Sequence, residues 1–126
     1  MRDFQAKCHD WCLACFGQDI TNDRTERNHR FLEESIELVQ ALGCTESEAH
    51  QLVDYVFSRP VGDPCQETGG VLVTLAALCN AADIDMDYCA FHELNRIRGK
   101  IDEIRAKQAA KPKHSPLPGA GSDHGR

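Results

Sequence analysis

The 126-residue chain contains no apolar run close to the roughly 18 residues that a transmembrane helix needs. Its first residues, MRDFQAKCHDW, also lack the apolar stretch of a secretory signal peptide. No segment alternates apolar and polar residues with the period of two that is typical of half-buried strands. These absences predict a helical protein that is cytoplasmic and has no membrane partner.

Positive charge is scarce as well, because 14 lysines and arginines stand against 20 aspartates and glutamates, for a net charge of -6. Proteins that bind nucleic acid in general do so by neutralising phosphates with basic side chains. We therefore expect no nucleic-acid partner, although an acidic chain can still bind phosphates through metal ions.

Helical spacing and helix-terminating residues dominate the first 110 residues. We predict an all-α bundle of about five helices, which cover about residues 3–16, 22–42, 46–59, 64–82 and 88–110. Gly17 and Gly43 are expected to end the first two, and Thr45 and Asp63 to cap the next two. Residues 1–110 then form one domain. Residues 111–126, rich in proline and glycine, form a flexible tail or an arm that only a partner orders.

The fourth predicted helix is apolar on nearly every side between residues 69 and 82, where Thr74 and Asn80 are the polar exceptions apart from Cys79. A helix of this kind is typically buried all round, which predicts that it lies at the centre of the bundle. A buried Asn80 would need partners for its amide. It either hydrogen-bonds a neighbouring helix or contacts the base or sugar of a substrate.

Seven cysteines are many for this length, but an odd number without an export signal favours reduced thiols. Cys8, Cys12 and Cys15 fall on one helical stripe with Phe4 and Trp11, which predicts that they pack in the core. Their spacing also matches that of some iron–sulfur enzymes, so a cysteine-ligated metal protein is a distant alternative.

Three glutamates share one side of the second predicted helix. At about 100° per residue, Glu37 and Glu34 lie about 40° and 100° from Glu33, opposite the apolar residues. Grouped carboxylates suit Mg²⁺ or Mn²⁺, whereas the alternative is a solvated helix face in which they pair with Arg30. Glu67, in the first turn of the apolar helix, adds a fourth candidate ligand, or simply interacts with its own helix N-terminus.

The order Glu33-Glu34-x-x-Glu37, then Glu67-x-x-Gly70 in the segment ETGGVLVTLAALCNAADIDM, resembles the all-α nucleoside triphosphate pyrophosphohydrolases of the MazG-like group. The tail is similar to that of a phage and bacterial branch of this group. The family binds Mg²⁺ with an EExxE motif and a later ExxD motif. The resemblance therefore implies Mg²⁺-dependent cleavage of NTPs or dNTPs to monophosphate and pyrophosphate, with the four glutamates as metal ligands and catalytic residues.

The resemblance also implies groups that bind the rest of the substrate. Arg30, Asn95, Arg96 and Lys100 are the candidates for binding phosphate, and Asn80 for binding the nucleoside. For the basic residues of the last helix the alternative is a solvated face that pairs with nearby acids. Because the family pairs such bundles, a homodimer or a dimer of dimers is implied too.

Gly70 departs from the family pattern, since it stands where the ExxD motif has its aspartate. One carboxylate fewer puts a second metal ion in doubt, so a non-catalytic relative that binds nucleotides or forms a helical dimer is the alternative function. Two glycines at the start of a helix cost roughly 0.5–1 kcal/mol each relative to alanine. The pair Gly69-Gly70 therefore predicts close helix approach or space for a ligand.

Overall fold

A computed structural model describes residues 2–112 and 115–117 of the chain. These residues contain six α-helices and no strand, which confirms the all-α prediction. Residues 113–114 and 118–126, on which most of the predicted flexible tail falls, lie outside the described residues. The helices are α1 (Arg2–Thr21), α2 (Arg24–Ala41), α3 (Glu46–Phe57), α4 (Pro64–Ala81), α5 (Met86–Arg98) and α6 (Ile101–Ala110).

Side-chain caps begin α3 and α4 where the sequence predicted them. The Thr45 hydroxyl accepts a hydrogen bond from the Glu48 amide at 3.1 Å, and the Glu48 carboxylate accepts one from the Thr45 amide at 2.8 Å. Asp63 accepts from the amide of Gln66 at 2.9 Å, with Pro64 in the first turn. These bonds satisfy amides that have no partner within the helix.

The end of α2 is set by Gly43, which has the left-handed φ of +96° that glycine adopts without strain. Its amide donates to the Gln40 carbonyl at 3.0 Å, and the Cys44 amide donates to the Val39 carbonyl at 2.8 Å. This pair of bonds is a Schellman motif. The prediction that Gly43 ends the second helix is therefore confirmed.

The prediction of one long last helix was wrong. At the break the Gly99 amide donates to the Arg96 carbonyl at 3.2 Å and the Lys100 amide to the Ile97 carbonyl at 3.0 Å. Both bonds span three residues instead of four, so the helix tightens and stops before α6 begins. Glycine is unfavourable inside a helix by about 1 kcal/mol relative to alanine, which favours a break at this position. The described part of the chain consequently forms six helices instead of about five.

The contacts divide the chain into two units, the first formed by Met1–Glu33 with Ala90–Arg126 and the second by Glu34–Cys89. In the first unit α1 packs against α6. Cys15 and Leu94 are its buried apolar residues. Cys15 was predicted to face the core, and helical spacing therefore placed this residue on the packed side of α1.

Aromatic rings strengthen the first unit. Phe4 meets Phe91 edge to face with ring centroids 5.1 Å apart, and Trp11 meets Phe16 in the same way at 5.5 Å. The Trp11 indole also donates a hydrogen bond to the Ile97 carbonyl at 3.4 Å. Such pairs contribute about 0.5–1.5 kcal/mol beyond the area they bury. The predicted packing role of Phe4 and Trp11 is confirmed.

Gly17 interrupts α1 with a φ of +79°, as the sequence predicted, and a short helical segment follows it. The interruption leaves the carbonyls before it without helical partners. Arg105 of α6 supplies hydrogen-bond donors to two of these carbonyls. Its Nε donates to the Cys15 carbonyl at 2.8 Å and its Nη2 donates to the Ala14 carbonyl. A cation at the negative end of a helix dipole is favourable, so Arg105 both caps the segment and joins α1 to α6.

In the second unit α4 is mostly exposed, and Cys79 is its one buried residue. The prediction that α4 is buried on every side was wrong for the single chain, because apolar composition indicates a surface that favours burial without saying what covers it. The large apolar residues exposed on α3, on α4 and between them are Leu52, Val53, Tyr55, Val56, Phe57, Val61, Val71 and Val73.

Among residues 2–112 and 115–117, no single helix has the length and apolar character needed to cross a membrane. Taken together across the bend that separates them, α4 and α5 meet that criterion on length and composition alone.

Gly43 and Gly99 are expected to respond in opposite ways to alanine. The positive φ of Gly43 makes Gly43→Ala unfavourable, lowering the free energy of unfolding by about 1 kcal/mol. A Cβ at Gly99 would lie at an ordinary 3.6 Å from the Arg96 carbonyl oxygen, so Gly99→Ala should raise stability by about 0.5 kcal/mol. Chemical denaturation measures both, and shifts of the same sign would contradict this account.

Candidate functional site

α2 carries the first three candidate metal ligands. Glu33 and Glu37 are half-buried and Glu34 is exposed. Arg30 lies one turn before Glu33, with 3.4 Å between its Nη1 and the Glu33 Oε1. This ion pair is of the kind that the solvated-face alternative predicted. Glu34, being exposed, is the most accessible of the three carboxylates.

Glu67 occupies the first turn of α4, as predicted, and is exposed. Its amide donates to the Asp63 carbonyl at 2.9 Å. Its side chain lies against the preceding loop, since a Cβ built at Gly62 would sit 3.3 Å from the Glu67 Cδ. A carboxylate in this position interacts favourably with the positive end of the helix dipole, and its exposure leaves it accessible to a cation.

Gly69 and Gly70 have no neighbours where a side chain would begin. A Cβ built at either glycine meets no atom within 4 Å among the described residues. Close helix approach within the chain therefore does not explain the pair, and that part of the prediction was wrong. Space for a ligand remains as an explanation, and a Cβ at Gly70 fits without a close contact.

The candidate ligands belong to both units, with Glu33 in the first and Glu34, Glu37 and Glu67 in the second. Within residues 2–112 and 115–117, no group of three or more histidine, cysteine, aspartate or glutamate side chains is arranged to hold a metal ion. The four glutamates offer the hard oxygen atoms that Mg²⁺ prefers. Their role as ligands stays a prediction.

Arg96 and Lys100, like Arg30, already have acidic neighbours. Arg96 donates two hydrogen bonds to the Glu93 carboxylate, one from Nε at 2.8 Å and one from Nη2 at 2.7 Å. The bonds from Arg96 hold the pKa of Glu93 below its ordinary value. Lys100 lies 3.8 Å from a Glu103 carboxylate oxygen. A phosphate at this face would compete with these carboxylates.

The two candidate asparagines are both exposed. Asn80 was expected to be buried within α4, and this was wrong because none of the residues that the structure describes covers that side of α4. Its amide therefore needs no protein partner and is accessible to a ligand. Asn95 accepts a hydrogen bond from Arg98 Nη1 at 3.3 Å, which ties it to its own helix.

A buried charge cluster, which was not predicted, lies at the start of α2. The Glu26 side chain is only 8% exposed, and its amide donates to the Asp23 carboxylate at 3.1 Å. Its Oε2 lies 3.6 Å from Arg27 Nη2 and 3.9 Å from Arg30 Nε, and it also contacts Lys111 Nζ. Three cations thus surround one desolvated carboxylate, since a buried charge is costly unless it is paired.

Several donors of this cluster are shielded from solvent without an acceptor. Arg27 Nε, Arg27 Nη2 and Arg30 Nε make no hydrogen bond to the described residues. Buried donors that lack acceptors cost free energy, and water or an anion commonly satisfies them. The spacing of Glu26 and Arg30 was visible in the sequence as an i,i+4 pair, whereas nothing in it connects Lys111 with α2.

The cysteine stripe of α1 has the properties of packed thiols. Burial raises the pKa of Cys8, Cys12 and Cys15 above the ordinary thiol value, and Arg27 beside Cys12 opposes this only in part. The Cys15 thiol also lies 3.8 Å from the Ile101 carbonyl, to which it donates. Protonated thiols are poor nucleophiles. The burial of Cys15 and the partial burial of Cys8 and Cys12 support the core interpretation.

An open pocket of about 460 Å³ lies between α1 and α6 in the first unit. None of the predicted site residues lines it, so it is separate from the candidate metal and phosphate residues. Its lining residues are Leu13, Cys15, Phe16, Gly17, Ile20, Arg105, Gln108 and Ala109.

No protein-family model matches this chain, and no curated protein or solved structure is significantly similar to it. The MazG-like resemblance consequently depends on the two acidic motifs and the helical context alone.

Alkylation should separate the packed thiols of α1 from an exposed thiol such as that of Cys89. Because a raised pKa keeps a thiol protonated to higher pH, iodoacetamide at pH 8 should modify Cys89 about tenfold faster than Cys12 or Cys15. Raising the pH should narrow the difference, and denaturant should remove it. Mass spectrometry of the alkylated peptides measures the rates. Equal rates in the native protein would contradict a packing role for the stripe.

Proposed function

We propose that this protein is a Mg²⁺-dependent nucleoside triphosphate pyrophosphohydrolase that cleaves NTPs or dNTPs to monophosphates and pyrophosphate. The observation that carries the proposal is the pair of acidic motifs, Glu33-Glu34-x-x-Glu37 on α2 and Glu67 in the first turn of α4, in an all-α chain. The exposure of Glu34 and Glu67 supports it, since both carboxylates are accessible to a metal–nucleotide complex.

In this proposal Glu33, Glu34, Glu37 and Glu67 hold Mg²⁺, for which Mn²⁺ can substitute. When bound, the ion lowers the pKa of a water and offsets the charge of the triphosphate. One of the glutamates orients the attacking water and accepts its proton. The attack falls on a phosphorus of the α–β linkage, so that pyrophosphate leaves.

The remaining candidates bind and orient the substrate. Arg30, Arg96 and Lys100 bind phosphate oxygens. These oxygens must displace the carboxylates that the three side chains contact within the chain. Asn95 assists them from the same helix as Arg96, and the exposed amide of Asn80 contacts the base or sugar. Such positioning contributes to catalysis by holding the reacting atoms in a productive geometry.

Gly70 favours a second candidate function, that of a non-catalytic relative. Without the fourth-position acid the chain would bind nucleotides, or only pair with a second copy, and would not turn substrate over. Since a Cβ at Gly70 meets no neighbouring atom within 4 Å, restoring the acid is a suitable test of this alternative.

We also propose that the protein is a homodimer or a dimer of dimers in the cytosol, without nucleic-acid or membrane partners. The apolar side chains left exposed on α3 and α4 support this, because Phe57 is 85% and Val73 70% exposed in the single chain. Large apolar side chains that stay exposed in the single chain favour burial against a partner. A second copy presents the same surface and can cover it symmetrically.

A pyrophosphate-release assay with a panel of NTPs and dNTPs tests the activity. With Mg²⁺ or Mn²⁺ present, we expect turnover of at least one nucleotide, and a loss of about 100-fold or more in Glu37→Gln and Glu67→Gln because each removes a metal ligand. Turnover that never exceeds these variants on any nucleotide would contradict the enzyme.

The matched variant Gly70→Asp separates the two candidate functions. If the natural protein is the enzyme, it should hydrolyse nucleotides in the presence of Mg²⁺ without this substitution. Activity or metal affinity that arises only in Gly70→Asp would instead identify the natural protein as a non-catalytic relative.

Light scattering after size-exclusion chromatography tests the dimer. Val73→Glu places a charge in the apolar face of α4, so it should shift the protein to monomers and weaken association by about tenfold or more. Gln51→Glu adds the same charge at an exposed polar position of α3 and should leave association unchanged. A monomeric natural protein, or equal effects of both variants, would contradict this interface.

A further inference from the structure

The chain following α6 returns to α2. Lys111 contacts the Glu26 carboxylate through its Nζ, and both side chains are nearly buried, at 9% and 8% exposure. Lysine and glutamate are seldom this buried unless paired, because each loses its hydration. The contact therefore attaches the segment after α6 to the start of α2.

A second contact from this segment reaches Arg30. The Arg30 Nη2 donates a hydrogen bond to the main-chain carbonyl of Pro116. Locally, the Leu117 amide donates to the Ser115 hydroxyl at 3.1 Å. Lys111 and Pro116 thus contact two side chains that are one helical turn apart on α2.

The Pro116 carbonyl uses a donor that an oxyanion would otherwise take. The same guanidinium reaches Glu33 through Nη1 at 3.4 Å, and its Nε makes no hydrogen bond to the described residues. A phosphate that binds Nε and Nη2 together, the bidentate geometry of guanidinium–oxyanion pairs, competes with the carbonyl for Nη2. A charge-assisted hydrogen bond to phosphate is about twice as strong as one to a neutral acceptor, so this exchange favours the ligand.

We propose that the C-terminal arm, defined by Lys111, Pro112 and residues 115–117, is an autoinhibitory strap. It occupies Arg30 in the absence of an anionic ligand, and the Lys111–Glu26 pair is the latch that keeps it there. The role of Arg30 as the inhibited residue rests on the proposed function, which places Arg30 among the phosphate-binding residues. The attachment of the arm to α2 is independent of that function, because it rests on the contacts of Lys111 and Pro116.

The strength of inhibition follows from the fraction of molecules with the arm released. The apparent dissociation constant equals the intrinsic one divided by the fraction that is competent to bind. If the arm is released in about one molecule in ten, removing the latch tightens anion binding about tenfold. Loss of a lysine would otherwise weaken anion binding, so the two expectations have opposite signs.

The latch is tested first, in the full chain and without nucleotide. In ¹⁵N relaxation measurements the amides of Ser115 and Leu117 should be as ordered as helical amides in the natural protein, and mobile in Lys111→Met. Lys111→Arg should restore order. Lys7→Met removes a lysine from an exposed ion pair of α1 and serves as the control. Mobile amides in the natural protein would overturn the proposal.

Occupation of Arg30 is tested by calorimetric titration with inorganic tripolyphosphate, which requires no turnover. Lys111→Met should bind about tenfold more tightly than the natural protein, whereas Lys111→Arg and Lys7→Met should not. Adding Arg30→Gln to Lys111→Met should abolish the gain. Lys111→Glu, which places a like charge beside Glu26, provides a second way to release the arm.

The outcomes separate the strap from the proposed enzyme. Tighter tripolyphosphate binding in Lys111→Met supports the strap even if no nucleotide is hydrolysed. Unchanged or weaker binding in a folded variant whose arm is mobile overturns it, even if the pyrophosphohydrolase assay succeeds.

Discussion

Burial of the Glu26 carboxylate is the constraint on which the start of α2 depends. A carboxylate deprived of water is stable in a fold only when cations and donors compensate for the lost hydration. Asp23 fixes its amide, and Arg27 and Arg30 approach from the same helix. Lys111 completes the cluster from the far end of the chain. Arg30 belongs both to this cluster and, through its hydrogen bond to the Pro116 carbonyl, to the contacts of the C-terminal arm.

The first part of α2 combines acidic side chains with an arginine. Along α2, Arg30 lies between Glu26 and Glu33 and interacts with both. A magnesium-bound phosphate carries charge of both signs, so a helix that presents carboxylates and a guanidinium within two turns can meet each part of it. An acidic protein is thereby compatible with an anionic substrate, with the cation supplied by solution instead of by lysine and arginine.

The second unit illustrates a limit of pattern reasoning. The apolar composition of α4 predicted burial, yet Val71 and Val73 are exposed and Cys79 alone is buried. Composition measures the free energy gained when a surface leaves water, and this gain is the same whichever chain does the covering. The same applies to the Gly69-Gly70 pair, whose open surroundings fit a ligand or a second copy equally well on composition alone.

Helix content and most helix ends were readable from the amino-acid sequence, because the Thr45 and Asp63 caps and the turn at Gly43 are bonds between residues at most five positions apart. The glutamates of α2 were placed on one face by helical geometry alone. The break at Gly99 was not predicted because a single glycine is often tolerated within a helix. Contacts such as that of Arg30 with Pro116, 86 residues away, were decided only by tertiary structure. Their free energy depends on desolvation, which exists only once distant segments have met.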